Sequence, residues 1–97
     1  MITPQGISLL GQLIKDSLLN ARTTVNGKVI ETAIHRVETT ADTVEIYTYL
    51  DETVVGTITR HQIIAKDNTV FLDKRDSVAK TDERGLLTRF ELKIKED

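Results

Sequence analysis

The spacing of apolar residues changes once along this chain, near Asn20, and that single change limits what it can fold into. Up to Asn20 the aliphatic residues recur every three to four positions, and beyond it they recur every second position. The first period places a stripe on one side of a helix, and the second places one face of a strand against a core. The order predicts an α+β domain: one N-terminal amphipathic helix packed on an antiparallel β-meander of five or six strands. The 97 residues fit one domain, 1–97, with the helix over 3–20 and the strands within 21–96.

Thr3-Pro4 marks the helix start. A Thr hydroxyl accepts a free backbone N–H there, and Pro at the first helical position gives up only a donor that had no partner. At about 100° per residue, Ile7, Leu9, Leu10, Leu13, Ile14 and Leu18 share one half of the helix. Gln5, Ser8, Gln12, Lys15 and Asp16 take the other half. Gly6 and Gly11 each weaken the helix by roughly 0.8 to 1 kcal/mol relative to Ala, which suggests close packing against a neighbouring backbone. Lys15 is the only cation on the polar face, which argues against a membrane-surface helix.

Asn26-Gly27, between Thr23-Thr24-Val25 and Lys28-Val29-Ile30, predicts a hairpin because both turn residues tolerate positive φ. Thr43 to Leu50 alternates, with Val44, Ile46 and Leu50 on one face and Glu45, Tyr47 and Tyr49 on the other. Asp51-Glu52 and Asp67-Asn68 read as turns that bring Thr53 to Ala65 and Thr69 to Lys74 back as consecutive antiparallel neighbours. In the last strand Leu86, Phe90, Leu92 and Ile94 point one way and Arg89, Glu91, Lys93 and Lys95 the other. A one-residue slip there would bury four charges, so the register is set. The longest polar connection, Asp76 to Gly85, reads as a partner-contacting loop.

Charged residues make up 29% of the chain with both signs interspersed and a net charge of −2, so no basic stripe invites nucleic acid. Without cysteine there are neither disulfides nor thiolate zinc sites. No apolar run approaches the roughly 18 residues of a membrane span, and the opening residues lack the basic region of a signal peptide. A soluble protein made in the cytosol, with no membrane contact, is expected.

The residues that carry chemistry are sparse. His35 and His61 lie 26 residues apart without metal-ligand spacing, and read as ordinary polar or partly buried strand residues. Ser8, Ser17 and Ser77 lack the Gly-x-Ser-x-Gly elbow. Asp42, Glu45, Asp51 and Glu52 cluster around a turn, where acidic residues are common for solubility. The five glycines form neither a phosphate loop nor a dinucleotide fingerprint. The chain therefore reads as a non-enzyme with no metal and no cofactor. Tyr47 and Tyr49, side by side on a polar sheet face, suit a protein interface or a second core layer. Lys80, Asp82, Glu83 and Arg84 in the long loop are the other candidate contacts.

Ile2-Thr3-Pro4-Gln5-Gly6-Ile7-Ser8-Leu9-Leu10 resembles the opening of the tail-attaching N-terminal regions of bacteriophage tail-collar fibre proteins and of small structural proteins encoded among phage tail genes. The stretch from Thr59 to Phe71 is similar to that family's central segment, an arginine-led strand reaching an Ala-x-Asp turn and an aliphatic-aromatic return strand. The resemblance implies a virion component, made in the bacterial cytoplasm, that docks on other tail or baseplate subunits and does no chemistry. A homo-oligomer is the form expected of it. The alternative is a small ligand-binding or regulatory module of a bacterial cytosol, using the space between helix and sheet.

Overall fold

A computed structural model of the chain describes residues 2–94. It contains one helix, α1 (Pro4–Ser17), and seven strands: β1 (Leu18–Val25), β2 (Lys28–Thr32), β3 (Arg36–Thr40), β4 (Thr43–Leu50), β5 (Gly56–Ala65), β6 (Val70–Lys80) and β7 (Leu86–Lys93). Thr3 Oγ1 accepts the Gly6 N–H at 3.0 Å and Pro4 opens the helix, as the Thr-Pro pair predicts. The helix stops at Ser17, three residues short of the expected end, because Leu18 already takes extended backbone and starts β1. The Ser17 carbonyl, left over at the helix end, accepts the Lys66 N–H at 2.8 Å.

The strands form two sheets rather than the single meander expected. The four-stranded sheet has the order β2-β1-β5-β6 and the three-stranded sheet β3-β4-β7, all pairs antiparallel. Three hairpins are local, β1–β2, β3–β4 and β5–β6, while each link between them crosses from one sheet to the other. β4 and β5 are therefore not neighbours, and β7 returns to pair with β4. The reason is one of area. A helix of 14 residues is roughly 21 Å long and about 10 Å wide. Seven strands spaced about 4.8 Å apart would spread roughly 29 Å. One helix cannot cover such a sheet, whereas two sheets facing each other bury both apolar faces.

The core lies between them. Leu18, Ala21 and Ile63 of the four-stranded sheet meet Ile46 and Phe90 of the three-stranded sheet, and Val25 and Ile58 meet Leu50 in a second cluster. The inward alternation of β4 and β7 is as the sequence predicts, with Val44, Ile46 and Leu50 buried and Leu86, Phe90 and Leu92 turned to the core. β7 ends at Lys93, and Lys95 and the expected strand limit at 96 lie outside the described residues.

α1 packs against β3 and β4. A Cβ on Gly11 would collide with the Thr39 side chain, so the glycine allows the helix to lie flush on β3. Its inward arc is Ile7, Leu10, Gly11 and Ile14, narrower than the broad apolar face expected, and Leu9 and Leu13 remain 60% and 57% exposed. Asn26 and Gly27 both have positive φ, 50° and 79°, and form the β1–β2 turn. Asn26 also pairs outward: its Oδ1 accepts the Thr57 N–H at 2.9 Å and its own N–H reaches the Thr57 carbonyl at 2.9 Å.

Candidate functional site

Between the two apolar clusters, four strands each contribute one buried polar side chain. Thr23 of β1 stands opposite His61 of β5, and Thr48 of β4 stands opposite Thr88 of β7. All four are buried, His61 to 4% exposure. The His61 ring meets Phe90 edge-on at 6.4 Å between centroids, which ties the two sheets together at this level. His61 Nδ1 is buried and has no hydrogen-bond partner. The register of β5 shifts between Ile58 and Arg60 relative to both β1 and β6, an irregularity immediately before the histidine.

His61 is also the floor of a cleft. β6 is the last strand of one sheet and β7 the last of the other, so each has a side without a strand partner, and residues 81–85 link them. The space between holds about 360 Å³. His61 and Thr88 lie at its base, Lys74, Asp76 and Val78 come from β6, and Leu86 comes from β7. A second hollow of about 440 Å³ shares Val78 and Leu86 and continues to the 81–85 turn. Both volumes fall in the range of small-molecule sites.

The charges of the cleft are few. Arg89 reaches its mouth, yet its guanidinium is held by Glu45 at 3.0 Å and Glu91 at 3.2 Å. These contacts raise its pKa above the ordinary value, the Glu45 hydrogen bond most of all. Lys74, directly opposite His61 in the β5–β6 register, makes no ion pair among the described residues, and neither does Asp76. Burial holds the His61 pKa below its ordinary 6.5, Lys74 lowers it further and Asp76 opposes both. The ring is therefore neutral at pH 7.

Stability depends on pH as a result. Below pH 6.5 the unfolded chain protonates His61 while the folded chain resists, so stability falls as pH drops below 6.5 and levels off below the folded pKa. A second loss follows lower down. Asp51, Asp67 and Asp73 have pKa values under the ordinary 3.8, the first two from Thr53 and Thr69 hydrogen bonds and the third from Arg60, and their contribution disappears as pH falls through those values. Urea midpoints measured across pH should show both steps, and His61→Leu should remove only the upper one. An upper step that survives in this variant would assign it to another group.

The tyrosines expected to share an interface behave differently from each other. The Tyr47 hydroxyl donates to Glu45 Oε2 at 3.1 Å, and the Arg36 guanidinium sits 4.3 Å above its ring, so Tyr47 belongs to a charged network on the outer face. Tyr49 is 40% exposed and leans over Gly85, where a Cβ would strike its ring, with His35 beside it at 5.7 Å. The expected loop from Asp76 to Gly85 is shorter than predicted, since β6 continues to Lys80. Asp82, Glu83 and Arg84 are exposed in the turn that remains. Lys80 is not at the surface: it is 6% exposed, and its Nζ donates to the carbonyls of Val54 at 2.5 Å, Thr81 at 3.1 Å and Arg84 at 3.2 Å. The structure thus brings Tyr49 to the turn and leaves Tyr47 apart from it.

The clustered carboxylates do not converge. Glu45 is engaged by Tyr47 and Arg89, and Asp51 Oδ1 accepts from the N–H and hydroxyl of Thr53 in a turn. Among the described residues no group of three or more His, Asp or Glu side chains is placed to hold a metal ion, and no helix is long and apolar enough to cross a membrane. The sequence assigned His61 no role, although its place two residues before Ile63 on a strand with an inward apolar face already marked it as a buried position. Comparison of the chain with protein-family models, with curated proteins and with solved structures finds no match.

Proposed function

We propose that this chain is a small non-enzymatic module that binds a small ligand in the cleft between β6 and β7. The observation that carries this reading is the buried His61 imidazole, with one nitrogen unpartnered, at the base of a cleft between two strand edges that pair with no other strand. Buried polar groups are nearly always satisfied, and an exception calls for a reason. A pre-formed recognition site supplies one. Binding is favoured over catalysis because a histidine that serves a nucleophile has its second nitrogen held by an orienting acceptor, and His61 Nδ1 has none. The cleft lies away from α1; the hollow at the end of the helix, about 380 Å³ and lined by Lys15, Leu18, Ile34 and Val37, has no buried unpartnered polar side chain among the described residues that line it.

Amide NMR during titration with a library of small metabolites tests this. Ligands should shift Lys74, Val78, Leu86 and Thr88 together, and shifts located only under α1, or none at all, would refute the cleft as the site.

A second reading is that of a self-associating phage tail component, resting on the resemblance of the N-terminal and central segments. The exposure of Leu9 and Leu13 one turn apart on α1 favours it, since an apolar pair of this kind suits contact with another copy. Light scattering at micromolar concentration should then report an oligomer that Leu9→Glu with Leu13→Glu disperses. A monomer of 10.9 kDa removes this reading.

A further inference from the structure

We propose that the cleft between β6 and β7 selects small zwitterions, of which an aliphatic α-amino acid is the simplest, holding their carboxylate at Lys74 and their ammonium at Asp76. The inference rests on the cleft being a ligand site and names what it takes.

Lys74 and Asp76 lie two residues apart on β6 and line the same cleft. Positions so related are about 6.5 to 7 Å apart along a strand. Their charged groups form no ion pair with each other or with any other described residue. Asp76 Oδ1 accepts the N–H of its neighbour Ser77 at 2.8 Å, which fixes the carboxylate in place. Two opposite charges held side by side but unpaired make a dipole, and a ligand with the reverse dipole bridges them. Each end then gains a charge-assisted hydrogen bond.

The remaining groups narrow the choice further. Among the described residues that line the cleft, the one other charged group, Arg89, is already engaged by Glu45 and Glu91, so it adds little free positive charge to attract a phosphate or a dicarboxylate. A ligand with a single charge would satisfy one of the two groups on β6 and be repelled by the other. Val78 and Leu86 offer apolar surface for an aliphatic side chain. His61 and Thr88 at the base add uncharged hydrogen-bonding groups, because the lowered pKa keeps the imidazole neutral at pH 7. Both charged groups act on the His61 titration, Lys74 downward and Asp76 upward, as expected for a cation and an anion that line the same cleft as the ring.

The test is an NMR titration of the full chain with three probes: leucine, 4-methylpentanoate, which lacks the ammonium, and leucinamide, which lacks the carboxylate. Leucine should bind roughly tenfold more tightly than either analogue, the loss expected when one charged hydrogen bond is removed. Lys74 and Asp76 are both exposed, so their variants leave the core intact. Lys74→Gln should erase the advantage of leucine over leucinamide, and Asp76→Asn its advantage over 4-methylpentanoate. Equal binding of all three probes, or preference for an analogue, overturns the zwitterion while shifts confined to the cleft sustain the binding site itself. If leucine leaves the cleft unshifted at millimolar concentration the proposal fails. The binding reading fails with it only if the metabolite library is silent there too.

Discussion

Phe90→Ala is expected to remove about 3 to 5 kcal/mol of stability, a large part of the roughly 5 to 15 kcal/mol that keeps a small domain folded. Phe90 sits at the point where both sheets meet. It is 7% exposed, packs with Ile46 of its own sheet and with Leu18, Ala21 and Ile63 of the other, and presents its ring to His61. Truncation leaves a void that residues on two separate sheets would have to close together, and paired strands resist such movement. Urea denaturation with circular dichroism measures the loss. A value below about 1 kcal/mol would mean that the sheets do not pack through this residue.

Lys80→Met should cost about 2 to 4 kcal/mol, an effect unusual for replacing a lysine. The methionine keeps most of the buried stem and removes the ammonium. Three carbonyls then lose their common donor: Val54 in the β4–β5 connection, and Thr81 and Arg84 in the turn between β6 and β7. Buried carbonyls without a donor carry a desolvation cost of about 1 to 3 kcal/mol each, and part of it is recovered where water reaches the turn. The same substitution should loosen residues 81–85, so their amide hydrogens should exchange faster than in the unaltered chain, by a larger factor than those of β1. Unchanged exchange together with a loss under about 1 kcal/mol would show that Lys80 does not hold the turn.

Features decided by neighbouring residues are legible in the amino-acid sequence. Thr3 and Pro4 start α1 because the cap is a contact over three residues. Asn26 and Gly27 turn the chain because positive φ is a property of the residues themselves. The inward alternation of Val44, Ile46 and Leu50, and of Phe90 and Leu92, follows from a period of two and a preference for burial. The end of the helix is not so determined. Leu18 continues the apolar stripe of the helix as well as it begins a strand, and its pairing with Ala65, 47 positions later, decides the matter. The resemblance to phage tail proteins proposes a role, and its central segment spans His61 without assigning that residue a function.

Which strands pair, and which residues face each other across the core, is settled only in three dimensions. Periodicity states that a face is buried and is silent about what buries it, so one meander under a helix and two facing sheets satisfy the same pattern. Area makes the choice, since α1 packs chiefly on β3 and β4. Lys80 reads as a loop cation because its three acceptors are backbone carbonyls, which every residue possesses and no sequence distinguishes. The cleft is hidden for a related reason: His61, Lys74, Asp76 and Thr88 come together only because β6 and β7 belong to different sheets and leave their facing edges unpaired. Local conformations and inward faces thus follow from the order of residues alone, through forces that act over a few positions. Sheet membership, the buried lysine and the cleft depend on contacts between residues far apart in the chain, and those are set only when the whole apolar surface is buried at once.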